Sequence, residues 1–293
     1  MVTRLGHRAI VWAVGPSVWS VHIFKQMLPL SLFVFVFGLI IGSFLNCLIY
    51  RLEGGRKNLL GRSFCPECGK QLLTFDLVPV LSFVFLKGRC RYCQKKISWQ
   101  YPAVEILTAV IFLLITNFST FGGSAYGGQF LNLVYYLFIS SCLIVIFVFD
   151  LKHYLIPDEI IYPAVLVSCI WYFVSGIIFG SYTKYEILNT VYSALGAALF
   201  FYLIYHFSKG RAMGLGDAKL AFLMGLFLGF PKMIAALFFA FLSGALAGLI
   251  LMLLKKKTLK SELPFGPFLV AGALFALFWG EQIFNLYINL LAF

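Results

Sequence analysis

Eight nearly uncharged stretches recur along this chain, most of them long enough to cross a bilayer. Met27 to Tyr50 runs 24 residues without a charge, enough at about 1.5 Å per residue to cross a hydrocarbon core of roughly 30 Å. Further spans are expected at about 102–119, 131–149, 159–180, 187–207, 218–231, 233–254 and 265–290. Hydrocarbon offers no hydrogen-bond partner to a bare peptide group, so a spanning segment is a helix or a strand of a closed barrel. Runs of this length specify helices, and the expected fold class is an all-α polytopic membrane protein with about eight transmembrane helices. The composition agrees: 61% hydrophobic and 12% charged, where a soluble domain is about half apolar and a quarter charged. The 218–231 span is short, and packs against longer neighbours or sits where the bilayer thins.

Between the first and second spans lies the main polar insertion, residues 51–101, read as a small zinc-binding cytoplasmic domain. The expected organisation is an N-terminal extension over 1–26, the first transmembrane helix over 27–50, the insertion over 51–101 and a seven-helix membrane core over 102–293. Residues 1–26 mix Arg4, Arg8, His22 and Lys25 with aromatics. They read either as an interfacial amphipathic segment or as an extended start unrelated to function. No small-residue cleavage site follows the first apolar run, so it is not read as a removed signal peptide.

The net charge of +12 is not read as a nucleic-acid footprint, because the basic residues cluster between apolar runs and so report topology. With 51–101 on the cytoplasmic side, the inside segments are 51–101, 150–158, 208–219 and 255–262. They carry ten, one, three and four Lys or Arg, against five elsewhere: Arg4, Arg8, Lys25, Lys184 and Lys232. This orientation places Asp150, at the inward end of the third span, and Asp217, at the outward-going start of the sixth, on the same face.

Asp217 sits in Ala212-Met213-Gly214-Leu215-Gly216-Asp217-Ala218-Lys219, a glycine-flanked carboxylate between apolar runs. An aspartic protease needs two carboxylates close enough to share one proton. Like charges drive the two pKa values apart, so one acid activates water while the other polarises the scissile carbonyl. Ionisable groups at membrane depth are costly and usually functional. Asp150 and Asp217 are therefore the expected catalytic pair, with Gly214 and Gly216 giving backbone freedom and close substrate approach. The plainer reading of Asp217 is a helix cap. Asp158, after Pro157, suits the first turn of a helix and a supporting role. Lys219 either holds Asp217 ionised or snorkels to the interface.

Cys65-Pro66-Glu67-Cys68 and Cys90-Arg91-Tyr92-Cys93 are separated by 21 residues. Four thiolates at this spacing match a tetrahedral structural zinc site; two redox pairs are the alternative, disfavoured in a reducing cytoplasm. The site leaves no open ligand position, so this metal would hold a fold. Cys47, Cys142 and Cys169 lie in apolar runs and read as small buried hydrophobes. A zinc protease is set aside because there is no HExxH. A serine protease is set aside because Gly122-Gly123-Ser124-Ala125 and His206 fall at opposite faces.

Taken in order, several motifs resemble the type IV prepilin leader peptidase/N-methyltransferase family, from about residue 38 to 280. They are Gly42-Ser43-Phe44-Leu45-Asn46 with Tyr50-Arg51-Leu52, both CxxC pairs, Asp76-Leu77-Val78-Pro79-Val80-Leu81-Ser82, and Ile97-Ser98-Trp99-Gln100-Tyr101-Pro102 with Glu105. Asp150 with Ile156-Pro157-Asp158, Gly214-Leu215-Gly216-Asp217-Ala218-Lys219-Leu220 and Pro264-Phe265-Gly266-Pro267-Phe268 complete the set. The resemblance implies a bacterial inner-membrane enzyme with Asp150 and Asp217 catalytic. It implies cleavage of the basic leaders of type IV pilin-like or pseudopilin precursors at the cytoplasmic face. It further implies methylation of the new N-terminus with S-adenosylmethionine as donor. Glu53, Asp76 and Glu105 are the candidate residues for the methionine moiety or the amine, and membrane lipid is the remaining partner. A presenilin-like intramembrane protease and a proton-coupled transporter are the rival readings.

Overall fold

The computed structural model describes residues 16–54, 61–121, 129–177, 183–211, 213–255 and 263–291. The extreme N-terminus, Ala212, the Gly122–Ala125 serine pattern and Lys256 and Lys257 lie outside the described residues. Nine helices occur among those described: α1 (Pro16–Glu53), α2 (Leu81–Phe85), α3 (Gln100–Phe121), α4 (Gln129–His153), α5 (Asp158–Ile177), α6 (Lys184–Ser208), α7 (Leu215–Leu228), α8 (Lys232–Leu253) and α9 (Gly266–Leu291). All but the five-residue α2 coincide with an apolar run of the sequence. The first helix begins earlier than the expected 27–50 span, at Pro16.

Seven of these helices are long and apolar enough to cross a membrane. The eighth expected span is α7, whose 14 residues reach only about 21 Å, short of a hydrocarbon core of roughly 30 Å. Its length is tolerated because it is enclosed by other helices: Leu220, Ala221, Leu223 and Met224 have no exposed surface. A helix buried in protein need not match the lipid thickness.

Antiparallel alternation sends the end of α1, the start of α3, the end of α4, the starts of α5 and α7 and the start of α9 to one face. The described insertion residues 61–99 lie on that face too, and it is called the insertion face below. The α4–α5 connection is only Tyr154 to Pro157, so little chain separates Asp150 from the start of α5.

Small residues set the closest approaches. In lipid the apolar effect does not drive helices together, and close backbone packing takes its place. Gly38 and Gly42, one turn apart on α1, face α3: a Cβ on Gly38 would lie 2.6 Å from the Ala109 Cα, and one on Gly42 2.6 Å from the Glu105 Cα. One turn further on, Asn46 Nδ2 donates to the Tyr101 carbonyl at 2.9 Å. Each step of four along α1 thus meets a step of four back along α3. Gly225 on α7 meets the Ala194 backbone of α6, and Gly272 on α9 meets the Ala236 carbonyl of α8, each too closely for a methyl group. Hydroxyls stitch further pairs: Tyr135 to Ser168 at 3.2 Å joins α4 to α5, and Tyr172 to the Leu226 carbonyl at 2.7 Å joins α5 to α7.

Gly225→Ala is expected to lower stability by about 1–3 kcal/mol, the usual cost of overpacking a tight contact. Gly196→Ala on α6, where no atom lies within 4 Å of the added Cβ, is expected to be neutral or stabilising by up to about 1 kcal/mol from helix propensity. Unfolding of the detergent-solubilised variants checks the pair, and equal losses would sink the packing argument.

Candidate active site

Three helix ends meet at the insertion face: the last turn of α4 with Asp150, the first turn of α7 with Asp217, and the first residue of α9, Gly266. Helix α9 packs on both α4 and α7. Asp150 is buried, 4% exposed, and its carboxylate accepts the backbone N–H of Gly266 and lies within electrostatic reach of Asp217. The two acids, 67 positions apart in sequence, are thus brought within electrostatic reach of each other.

Each carboxylate is held at a helix N-terminus, where unsatisfied N–H groups and the helix dipole favour an anion. Asp217 is the third residue of α7, and its Oδ2 accepts from the Gly214 N–H at 3.1 Å. The capping role weighed from sequence is therefore present, and with two oxygens per carboxylate it does not exclude chemistry. For Asp150 the relevant helix is α9, with Pro267 directly after Gly266, a position where a missing N–H costs nothing. Any side chain at 266 would collide with the acid: a Cβ there would sit 2.5 Å from Asp150 Oδ2. Gly266 appeared in the sequence only as part of a motif. A glycine before proline at the start of a span was the available signal, but not its partner.

The flanking glycines act by size. Gly214 has φ −84° and ψ 158°, an extended conformation open to any residue, so the expectation of special backbone freedom is not met. Gly216 instead brings α7 against the α4–α5 connection, where a Cβ would lie 3.2 Å from the Ile156 Cβ. Lys219 pairs with Asp158 at 2.6 Å and lies 5.0 Å from the Tyr162 ring centre. It does not pair with Asp217; it fastens α7 to the first turn of α5.

The four cysteines come together on the insertion. Their sulfurs all lie within 4.8 Å of one another, with Cys65 and Cys93 at 3.9 Å. Tetrahedral ligands at about 2.3 Å from zinc stand about 3.8 Å apart. The two knuckles repeat at an offset of 25 residues. Cys65 N–H donates to the Lys70 carbonyl and Gly69 N–H to the Cys65 carbonyl, both at 2.9 Å. Cys90 to Lys95 and Gln94 to Cys90 repeat this at 2.9 and 3.0 Å. Gly69 and Gln94 occupy the same left-handed corner, at φ 69° and 59°; only the first knuckle carries the residue that adopts it without strain.

Burial pushes the Cys90 thiol up, but the N–H groups of Cys93 and Tyr92 and the neighbouring thiols outweigh it and bring it down to about 7. Cys93, although the Lys95 N–H favours its thiolate, is pushed up to about 11 by burial and by Cys90, Cys68 and Cys65. Thiolates crowded in this way call for a cation. The cluster can hold a metal ion, with no fifth position open to substrate.

Between this insertion and helices α1 and α3 lies a cavity of about 400 Å³. Of the three acids singled out from sequence, Asp76 and Glu105 line it, and Lys152, the partner of Glu53, forms part of its wall. Glu53 binds Lys152 at 2.7 Å and His153 at 3.5 Å. Asp76 binds Arg91 at 2.8 Å and Tyr92 at 3.2 Å. Glu105 accepts the Val80 N–H at 2.7 Å and a hydrogen bond from Ser43. Asn46 and Ser43, which line the cavity from α1, entered the sequence reading only as part of a motif, with no role assigned. Their signal was the Gly38-xxx-Gly42 spacing, which marks the face of α1 turned toward α3.

Comparison with known proteins agrees with this arrangement. Residues 36–118 match the family model described as the bacterial peptidase A24 N-terminal domain. Residues 137–249 match that of the type IV leader peptidase family. A prepilin leader peptidase/N-methyltransferase of Legionella pneumophila is 33% identical, covering 88% of this chain and 94% of that protein. One of Bacillus subtilis (strain 168) is 33% identical over 88% and 97%, and one of Aeromonas salmonicida 31% over 87% and 93%. No solved structure matches the chain. With the apolar helices, the two converging acids, the cysteine cluster and these full-length relatives together, the chain belongs to the prepilin leader peptidase/N-methyltransferase family.

Proposed function

We propose that this protein is a membrane aspartic endopeptidase that removes the basic leader of type IV pilin-like precursors and then N-methylates the exposed amine. The observation that carries the peptidase half is the meeting of Asp150 and Asp217 beneath the start of α9. The pair holds one proton. The ionised carboxylate takes a proton from the attacking water as the C–O bond forms, and the protonated one supports the developing oxyanion at the scissile carbonyl. The substrate's apolar helix packs beside the spans, and its polar junction reaches the pair at the insertion face.

That face is cytoplasmic in this reading, since the segments assigned to it carry 18 of the 23 Lys and Arg, and the membrane is the bacterial inner membrane. A cationic leader would start on this side. The rival intramembrane protease and transporter readings give no account of a cysteine-clustered insertion fused to α1 and α3. The cluster takes zinc: four sulfurs at tetrahedral spacing suit a closed structural site. Methyl transfer belongs to the insertion side, with S-adenosylmethionine supplying the methyl group.

Asp150→Asn and Asp217→Asn are each expected to lower cleavage of a pilin-like precursor by at least about 100-fold, the low end for loss of a general acid or base. Membrane levels should not change; retained cleavage in either variant removes that acid from the mechanism. Gly266→Ala should also depress cleavage, because its methyl group lands on Asp150 Oδ2, while Gly244→Ala, whose Cβ has only ordinary contacts, should not. Metal analysis of the purified protein is expected to give one zinc per chain. Cys90→Ser should lose the zinc, open the 61–99 segment to proteolysis, and cut methylation at least ten times more than cleavage.

A further inference from the structure

The cavity beside the cysteine cluster holds two acceptors that lack a donor or cation of the kind they call for. Glu105 is 6% exposed and no cation pairs with it among the described residues. Its two contacts, the Val80 N–H and Ser43, are neutral. Asn46 is 3% exposed, donates its N–H to Tyr101, and has no donor to its Oδ1 among the described residues. The two stand on facing stretches of α1 and α3, one turn apart, and both line the cavity. A buried carboxylate is stable when paired, and a buried amide oxygen is costly when left without a donor. Glu53, Glu67 and Asp76, the other acids nearby, already have their cations.

We propose that Glu105 and Asn46 form a cation-accepting subsite at which the methyl-transfer reactants bind, Glu105 meeting the positive charge and Asn46 Oδ1 accepting an N–H or a polarised C–H. This rests on the methyltransferase half of the function proposed above. The volume of about 400 Å³ suits one nucleoside-sized ligand, within the usual range of roughly 300–1,000 Å³ for such sites. Two cations are altered by this reaction, the sulfonium of the donor and the ammonium of the new N-terminus; the α-ammonium shared by S-adenosylmethionine and S-adenosylhomocysteine is not. The ammonium first gives a proton to water; the freed lone pair then forms the N–CH₃ bond as the S–CH₃ bond breaks with its electrons left on sulfur. Positive charge thus passes from sulfur to nitrogen within reach of one carboxylate.

Glu105→Gln is the test, because glutamine keeps an oxygen for the Val80 N–H and removes the charge, its NH₂ donating to the Ser43 hydroxyl where the second oxygen had accepted. Purified wild type and variant are titrated calorimetrically with S-adenosylmethionine and with its neutral product, S-adenosylhomocysteine. The KM of the cleaved precursor's amine is measured in parallel. If the subsite takes the sulfonium, the variant loses at least tenfold in affinity for S-adenosylmethionine and under twofold for S-adenosylhomocysteine. If it takes the ammonium, both donor affinities hold and the amine KM rises at least tenfold. Either result supports the subsite. Equal loss of both donors, or no change in either affinity or in the amine KM, overturns it, as does a wild type that binds neither donor. Glu105→Asp, which restores the charge, should recover part of any loss; failure to do so while unfolding is unchanged also counts against it. A wild type that binds donor and cleaves precursor yet never methylates sinks the methyltransferase reading, and the subsite then stands or falls on the two donor titrations.

Discussion

Hydrocarbon cannot hydrogen-bond to a peptide group, and the architecture follows from that constraint. Each segment that crosses must satisfy its backbone within itself, so it is a helix. Successive helices then alternate in direction and their ends fall on two faces. The short α4–α5 connection and the enclosed α7 bring the ends carrying Asp150 and Asp217 to one of those faces, where the start of α9 meets Asp150. A peptidase centre can be built there from helix termini alone, whose N–H groups and dipoles hold acidic side chains in place.

Close packing gives this arrangement its precision. Glycines at the α1–α3, α6–α7 and α8–α9 contacts let backbones approach to distances that a single methyl group would forbid. Gly266 extends the same device from packing to the site, since its missing side chain is the space the Asp150 carboxylate occupies. The Lys219–Asp158 pair fastens α7 to α5 beside that carboxylate pair. Being half exposed, it contributes alignment more than stability.

The insertion solves a different problem. The loops and short turns of residues 61–99 bury little apolar surface, and two cysteine knuckles related by 25 residues give the segment its centre. Most of the cavity wall comes from the insertion, and the rest from α1, α3 and Lys152 of α4. Lys152 ties the two regions together: it lies two residues after Asp150, pairs with Glu53 at the end of α1, and forms part of the cavity wall.

Much of this was legible in the chain itself. Apolar length specified the spans, because helix geometry and bilayer thickness convert residue counts directly into crossings. The parity of those spans put Asp150 and Asp217 on one face, and the CxxC spacing foretold the cysteine cluster. Other features depended on contacts between distant segments, which no local pattern encodes. Gly214 was expected to matter for its backbone freedom, yet its conformation is ordinary. Lys219 chose Asp158 over Asp217, and Gly266 came to support an acid 116 residues earlier. Among Glu53, Asp76 and Glu105 the sequence offered no ranking, since a carboxylate's role depends on whether a cation stands beside it. Only the packed helices and the folded insertion decided that Glu105 alone of the three has no cation beside it among the described residues.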